Sequence, residues 1–463
     1  QRLVEGQIRR PDGSVDLAAL EQAAPRLELL GERVEVAIER LDRVDTDAVR
    51  PEIGQPVALF REELIGLQPA LRTASDVTTW LPGMLGADGP RDWLIMLQNP
   101  SELRGSGGHV GGYAVIEASD GRLELVESGT SGDLQRSAIP VAGAPADVVD
   151  TWGEGLSNWA SFNASAHFPT TAALAAAGMD ARGMPVEGVI AVDPETVAAL
   201  LQITGPVTAS GQTITAENVA QFFTVDAYRE YPDGAERDRV SMDLVEATFR
   251  ALLSAPWSPR TMADALGTPV QEGRVLVWSS DDQEADWLAG TAFGGVLADR
   301  PGSIVAVTLN NLGGNKLDAF LEMDVDFEVG RCPTATRQSS SVQVTLLNDP
   351  PADLPDANYG FFDLDRSEVT DVPKGYNRLL VQVYAPVNAN FQSATLDGEP
   401  ETMFVGAERN RPLWWVNIDL APGQTRTLKV DFDEPTDLSV APELLTQPLV
   451  KQPVVEVREN RPC

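Results

Sequence analysis

WLIMLQNPSELRGSGGHVGGYAVIEASDGRLELVES, residues 93–128, decides how the centre of the chain is read. Residues 93–97 are a continuous apolar run, YAVIEAS follows at residues 113–119 and RLELVES at residues 122–128, so three strands are expected. Asp120-Gly121 separates the last two, and this dipeptide accepts the positive φ angles of a two-residue hairpin turn. Between the first two runs lies QNPSELRGSGGHVGG, residues 98–112, in which five glycines fall within eight residues behind a Glu-x-Arg pair. Glycine lets a backbone come close to a ligand and the flanking charges supply contacts, which marks the segment as the leading functional candidate. The competing reading is a glycine-rich turn between two strands, with Glu102 and Arg104 paired to each other because polar groups beside a buried strand need partners.

Downstream, residues 169–179 read as a helix, residues 186–192 as a buried strand and residues 194–203 as a helix opened by Pro194. Thr215 is placed to cap a helix through ENVAQFF, and residues 236–253 form another, with Val240, Leu244, Ala247 and Leu252 among its buried positions. This alternation predicts an α/β layered domain over residues 88–300. Beyond residue 303 the helical periodicity stops, and IVAVTLNN, SSVQVTLLN, NRLLVQVYAP, LWWVNIDL and TRTLKVDF alternate between turn residues. That pattern predicts a C-terminal β-sandwich, Ig-like, over residues 301–435, serving as a binding or spacer module. A proline-rich, extended tail over residues 436–463 follows it.

Upstream, Leu17, Leu20, Ala24, Leu27, Val34, Ile38 and Leu41 recur at spacings of threes and fours, a helical stripe expected to kink or restart at Pro25. Arg50-Pro51 and Gln55-Pro56 break the stripe, and residues 57–72 can fold back on it. Residues 1–87 are therefore read as a helical hairpin or stalk, the alternative being a helical layer of the main domain.

The 463 residues, 43% hydrophobic, are too many for one ordinary core and too apolar for disorder. A net charge of −34 with no Lys/Arg-rich block makes nucleic acid an improbable partner. Arginine far outnumbers lysine, which appears only at Lys316, Lys374, Lys429 and Lys451, as in a GC-rich genome. No apolar run is long enough to span a membrane, and the chain opens on Gln1 rather than Met, so an N-terminal piece is expected to have been removed. The two cysteines, Cys332 and Cys463, suggest a disulfide that ties down the tail in an oxidising compartment, the alternative being two unpaired thiols.

The Gly-rich segment is neither a Walker loop, since no Gly-Lys-Ser/Thr follows, nor a dinucleotide fingerprint, so no nucleotide cofactor is expected. Glu102 and Arg104 are the catalytic candidates; Asn99, Ser106, Gly107, Gly108, Asn163 and Asp193 are candidate substrate contacts. His109 titrates near neutrality and is a conceivable base, whereas His167 is read as a packing or hydrogen-bonding residue. Trp152, Trp159, Phe162 and Phe168 can stack on sugars, line a lipid cavity or pack in the core. Asn163-Ala164-Ser165 is formally a glycosylation sequon.

WLIMLQNPSELRGSGGHVGGYAVI resembles the opening signature of a bacterial envelope family known as domain of unknown function 4012 (DUF4012). VEGVIAVDPETVAALLQITGPVTASGQTITAEN is similar to that family's second block and LWWVNIDLAPGQTRTLKVDF to its closing strands, a likeness spanning residues 80–435. Its members carry an N-terminal membrane helix and an external region, which implies an extracytoplasmic protein of the cell envelope, membrane-anchored or secreted. More distantly, the chain resembles the LytR-CpsA-Psr ligases, which transfer glycans from polyprenyl-pyrophosphate carriers to the cell wall. That likeness implies a related α/β fold and a cell-wall or capsular polysaccharide, polyprenyl-linked, as partner. It further implies arginines on the pyrophosphate, here Arg104, Arg136, Arg237 and Arg239, and a carboxylate-bound Mg2+, here at Asp92 and Asp238. The ligases' Arg-Asp pair appears as Glu102-Leu103-Arg104, and ERDR, residues 236–239, matches part of their closing motif.

The leading expectation is a glycan ligase of the phosphotransferase type. A glycoside hydrolase or transglycosylase is the alternative, pairing Glu102 with Asp193, Asp226 or Asp238. A non-catalytic envelope scaffold is the third.

Overall fold

A computed structural model describes residues 10, 12–46, 48, 50–255, 258–330, 332, 334, 336–355, 358–359 and 374–460. The chain is a multi-domain α/β protein that divides into two compact units. Described residues of 1–92, 116–126 and 256–261 form the first, and those of 93–115, 127–255 and 262–463 the second.

The first unit is built on two long helices, α1 (Leu17–Asp42) and α2 (Pro51–Met84). Asp16 caps α1 by accepting from the Ala19 amide at 3.2 Å. The helix runs unbroken through Pro25, so the expected restart is absent. Pro51 opens α2 at the first helical position, where a missing N–H costs nothing, and the helix also continues through Pro56 instead of breaking there. Pro56 forfeits only a bond to the carbonyl of Glu52, an exposed residue at the helix start. The apolar stripe read from the sequence becomes the seam: Val34 and Ile38 pack with Leu64, and Val15, Leu17 and Leu20 with Leu81 and Leu85. Early residues of α1 meet late residues of α2, as in an antiparallel hairpin. The Asp120-Gly121 turn has φ angles of 46° and 79°, the doubly positive pair of a type I′ hairpin.

A mixed sheet is formed by β1 (Arg91–Arg104), β2 (Gly107–Ser119), β3 (Arg122–Thr130), β4 (Gly188–Val192) and β7 (Val275–Ser279), in the order β3-β2-β1-β4-β7. β4 runs parallel to β1, from Trp93 opposite Gly188 to Leu97 opposite Val192, and antiparallel to β7. Short helices α3 (Ser131–Leu134) and α4 (Ala146–Trp152) follow β3, and α5 (Phe168–Ala181) leads to β4. Between β4 and β7 come α6 (Pro194–Thr204), the hairpin β5 (Val207–Ala209) and β6 (Gln212–Ile214), α7 (Val219–Gln221), α8 (Ala227–Glu230), α9 (Gly234–Ser254) and α10 (Pro259–Gln271). α11 (Asp282–Ala289) follows β7. Where Thr215 suggested one continuous helix, residues 222–226 form a π-helical turn between α7 and α8. Leu94, Met96 and Val115 form the sheet's core with Trp159, Phe162, Phe168 and Met179. Three of the four aromatic residues flagged from the sequence are therefore core residues, since Trp159, Phe162 and Phe168 are all buried.

Strands then replace helices. β8 (Ile304–Asn311), β11 (Asn377–Tyr384), β14 (Phe404–Glu408), β15 (Arg411–Leu420) and β17 (Glu443–Thr446) form a sheet in the order β14-β15-β11-β8-β17. β9 (Leu321–Val329), β10 (Arg337–Asn348), β12 (Asn390–Leu396), β13 (Glu399–Pro400), β16 (Gln424–Pro435) and β18 (Val454–Glu459) form another, in the order β13-β12-β16-β10-β9-β18. The two sheets share one core, in which Val305 and Val307 of β8 and Val381 of β11 meet Phe327, Val344 and Phe432 of the other sheet. The tail is not merely extended: β17 pairs parallel with β8 and β18 parallel with β9, one strand on each sheet. Cys332 is disulfide-bonded, and Cys463, the only other cysteine of the sequence, lies outside the described residues. No described helix is long and apolar enough to cross a membrane.

β8 is buried on both faces and so fixes the Gly-rich hairpin. Its valines enter the shared core, while Asn310 accepts a hydrogen bond from the Gly105 amide at 3.0 Å.

Candidate functional site

The Gly-rich segment is itself a β-hairpin, β1 turning through Gly105-Ser106 into β2. Its glycines answer to the protein rather than to a ligand. A Cβ on Gly105 would lie 2.1 Å from the Ala164 carbonyl oxygen, and one on Gly108 would lie 2.3 Å from the Asn99 carbonyl carbon. Gly107 takes φ 135° with its missing Cβ 2.1 Å from the Gln98 side chain. The expectation that these glycines admit a substrate is corrected: they admit neighbouring backbone and side chains.

Glu102 and Arg104 are also corrected. The Glu102 Oε1 atom accepts from Arg104 Nη2 at 2.7 Å and Oε2 accepts from Lys316 Nζ at 2.6 Å, so both oxygens are engaged. Arg104 spends Nε on the Ala160 carbonyl at 2.8 Å and Nη1 on the Leu103 carbonyl at 2.8 Å, and it too is buried. Burial works against the Glu102 charge, but Lys316 and Arg104 outweigh it and hold the carboxyl well below the ordinary range. Both Glu102 oxygens are therefore occupied, and the carboxylate orients Lys316 instead of serving as a base. Asp318 braces it from behind, accepting from the Leu103 amide at 2.7 Å and from Asn377 at 2.6 Å, with burial raising its carboxyl to about 6.

The hairpin nevertheless borders a cavity of about 270 Å3 between β1, β2, α6, α8 and α9. Leu97, Val192, Val197, Phe223, Met242 and Val245 make its walls apolar. Gln98, Asn99, His109, Thr130 and Ser131 supply neutral polar groups, and Arg237, Asp238 and Lys316 supply charge. The Arg237 guanidinium stands over the Tyr228 ring at 4.9 Å and the Lys316 ammonium lies 5.4 Å from the same ring, so the aromatic face gathers two cations. Arg237 donates to the Tyr231 carbonyl at 3.2 Å, and among the described residues it forms no ion pair. Burial raises the Asp238 carboxyl against the pull of Arg237.

Local sequence explains this placement. Asp233 caps α9 by accepting from the Glu236 amide at 2.9 Å, which sets Arg237 and Asp238 on its first turns. Asn99 donates to the Phe223 carbonyl at 2.9 Å and to the Tyr228 hydroxyl at 2.9 Å, tying β1 to the π-helical turn and to the ring between the cations. Two buried atoms of cavity-lining residues have no hydrogen-bond partner among the described residues, the Gln98 Nε2 donor and His109 Nδ1. Burial lowers His109 to about 4, with Glu102 opposing, so the imidazole is neutral at pH 7.

The remaining expected residues divide sharply. Asp193 reaches the cavity but is committed, capping α6 through the Thr196 amide at 2.9 Å and pairing with Arg274 at 2.5 Å. Arg136 and Arg239 are exposed, held by Asp133 at 2.9 Å and Glu236 at 3.7 Å, and do not line the cavity. Asn163 is fully buried and donates to the Gly108 carbonyl at 2.9 Å, so neither a substrate contact nor a glycosylation site is available there. Ser106 borders a different cavity, of about 560 Å3, with a buried hydroxyl that has no partner among the described residues. Asp226 accepts from Gln221 at 3.1 Å instead of facing Glu102. His167 accepts from the Leu297 amide at 3.1 Å, and burial with Arg409 lowers it to about 3, a packing histidine as expected.

Of the residues considered for Mg2+, Asp238 stands next to Arg237, and both oxygens of Glu102 are taken by cations. Among the described residues no three His, Cys, Asp or Glu side chains gather as ligands. Sequence reasoning missed Gln98, Tyr228 and Lys316. Lys316 had a weak signal, as one of only four lysines in an arginine-rich chain, but its partner lies 214 residues away.

Residues 88–228 match the family model described as Protein of unknown function (DUF4012). No curated protein matches the chain. Among solved structures, similarity extends to the transcriptional regulator yvhJ of Bacillus subtilis, at 10% identity over 44% of this chain and 77% of that one, with a TM-score of 0.25. A transcriptional regulator (EF0465) of Enterococcus faecalis gives 12% identity over 46% and 74%, TM-score 0.26. Protein gbs0355 of Streptococcus agalactiae gives 10% identity over 47% and 77%, TM-score 0.26. Likeness at this level defines neither the fold nor an activity.

Proposed function

We propose, for a chain whose residues 88–228 belong to the DUF4012 family, that the protein is an extracytoplasmic envelope-glycan ligase of the phosphotransferase type whose cavity holds a polyprenyl-linked, phosphate-bearing glycan. The observation that carries the reading is Arg237, which forms no ion pair among the described residues, set with Lys316 around Tyr228 at an apolar-walled cavity of about 270 Å3 in a chain of net charge −34. Lys316 is already paired with Glu102, so Arg237 is the cation that an incoming anion would meet, and the apolar walls suit a hydrocarbon chain beside it. Gln98 and His109 offer a donor and an acceptor to hydroxyl groups of the ligand.

In this reading Arg237 and Lys316 bear on the phosphate, while Glu102 and Arg104 hold Lys316 in place. The two C-terminal sheets are taken as an Ig-like β-sandwich spacer, which their shared core supports, and the central sheet as a relative of the LytR-CpsA-Psr fold, which rests on the sequence resemblance alone. The glycoside-hydrolase alternative finds no such support, because it rested on Glu102, whose oxygens are both in ion pairs.

The test incubates the purified protein with a polyprenyl-diphosphate oligosaccharide and a polysaccharide acceptor, with and without EDTA, and follows the products by mass spectrometry. Transfer that disappears in Arg237→Ala supports the reading. Binding without turnover makes the protein a scaffold, and absence of both binding and transfer ends the proposal.

A further inference from the structure

At the edge of the five-stranded C-terminal sheet, away from the cavity, three aromatic rings form a continuous run. Trp152, the fourth aromatic residue flagged in the sequence, lies 6.1 Å from Trp415 between ring centroids, and Trp415 lies 5.9 Å from Phe404 with the two rings only 17° from parallel. Phe404 and Trp415 are cross-strand partners on β14 and β15, and β14 is the outermost strand of its sheet. Gly406, the next residue on the same face of β14, makes room: a Cβ there would lie 2.9 Å from the Trp415 ring and 3.1 Å from the Thr151 hydroxyl. Covering a strand glycine accounts for where Trp415 lies. It does not account for Phe404, which stacks one face on Trp415 and remains 60% exposed.

An aromatic face on an edge strand exposes apolar area at a cost, and such area marks a contact surface. The surroundings decide the partner's chemistry. Asp150, Glu154, Thr402 and Asn417, which flank the three aromatic residues in sequence, are all exposed and present two carboxylates and two neutral hydrogen-bonding groups. The nearest arginine along β14, Arg409, is already bound to Asp299 at 3.2 Å and to the Leu297 carbonyl at 2.9 Å. Carboxylates without a free cation repel anionic polymers. The ring face is electron-rich, so it attracts the weakly positive C–H face of a pyranose, while amide, hydroxyl and carboxylate groups at the rim take the sugar hydroxyls.

We infer that the exposed ring of Phe404, backed by Trp415 and Trp152 where these pack into the core, forms a binding platform for a neutral pyranose glycan, separate from the phosphate-binding cavity and independent of the reading given for it. Such a platform holds a polymer on the protein without reacting with it.

The test is native affinity electrophoresis of the full chain through gels containing a soluble neutral glucan, mannan or galactan, with polygalacturonate as the anionic control. At least one neutral polysaccharide is expected to retard the protein and polygalacturonate is not. Phe404→Ala, a change at an exposed side chain, is expected to weaken retardation about tenfold or more, Phe404→Tyr to preserve it, and binding to shift the fluorescence of the tryptophan beneath. Arg237→Ala is expected to leave retardation intact, which separates this platform from the cavity. Lack of retardation by every neutral polysaccharide, or equal retardation of Phe404→Ala, overturns the inference. So does a concentration-dependent dimer that Phe404→Ala abolishes, because the rings then serve a second copy of the chain.

Discussion

Replacing Glu102 by glutamine removes one charge that neutralises two. The carboxylate accepts from Arg104 at 2.7 Å and from Lys316 at 2.6 Å, and the side chains of all three are about nine-tenths buried. A glutamine of the same shape keeps one acceptor and turns a donor toward the other cation, so at least one buried charge loses its partner. Breaking a buried ion pair from one side costs about 3–5 kcal/mol, far more than the pair contributes over an apolar replacement. Lys316 limits the loss by shedding its proton, since burial already opposes its charge and Glu102 is the main influence sustaining it. Glu102→Gln is therefore expected to lose about 3–5 kcal/mol of stability in urea unfolding followed by tryptophan fluorescence. Adding Lys316→Met should restore more than half of that loss, because removing both partners of a buried pair is close to neutral. A Glu102→Gln protein within about 1 kcal/mol of the parent, yet inactive, would refute the structural role and return Glu102 to catalysis.

Glycines of different surroundings should respond in opposite directions. Gly105→Ala forces a Cβ to within 2.1 Å of the Ala164 oxygen and should cost about 1–3 kcal/mol, whereas Gly31→Ala, in α1 with nothing within 4 Å, should gain about 0.5–1 kcal/mol. Urea midpoints check both, and equal effects would contradict the packing argument. Acid should weaken the second unit from pH about 6.5 downward through its two histidines, with proton uptake by Asp318, raised to about 6, offsetting part of the loss. Burial holds His109 at about 4 and His167 at about 3, so the unfolded chain takes up these protons first. Their contribution is complete above pH about 6.5 and is lost as pH falls toward 4, a tenfold difference in proton affinity between folded and unfolded chain being worth about 1.4 kcal/mol. Thermal unfolding between pH 7.5 and 4.5 should show this decline, shallower in His167→Gln; a flat profile would contradict it.

What was legible in the sequence was local. The Asp120-Gly121 hairpin, the helices starting at Pro194 and near Glu236, and the seam of α1 were readable because turn chemistry and periodicity are written in consecutive residues. Pro25 and Pro56 misled because one missing hydrogen bond is a small loss in helices of 26 and 34 residues. The Gly-rich run was recognised as unusual, but a glycine that admits a ligand and one that admits Ala164 or Asn99 look the same in one dimension. Glu102 stood out through its neighbour Arg104, while its second partner, Lys316, enters from the far side of the fold. Arg237 was named through ERDR; its setting over Tyr228 emerges only when the start of α9 folds back beside α8.

Binding of a polyprenyl phosphate in detergent micelles, with the uncharged polyprenol as control, bears most directly on the cavity. The phosphate should bind the parent protein more tightly than the alcohol, and Arg237→Ala should erase that difference, a loss of roughly 10–100-fold for a charge-assisted contact of about 1.5–3 kcal/mol. Equal affinity for phosphate and alcohol in the parent protein, or an unchanged preference in Arg237→Ala, would contradict the assignment of the cavity to an anionic amphiphile.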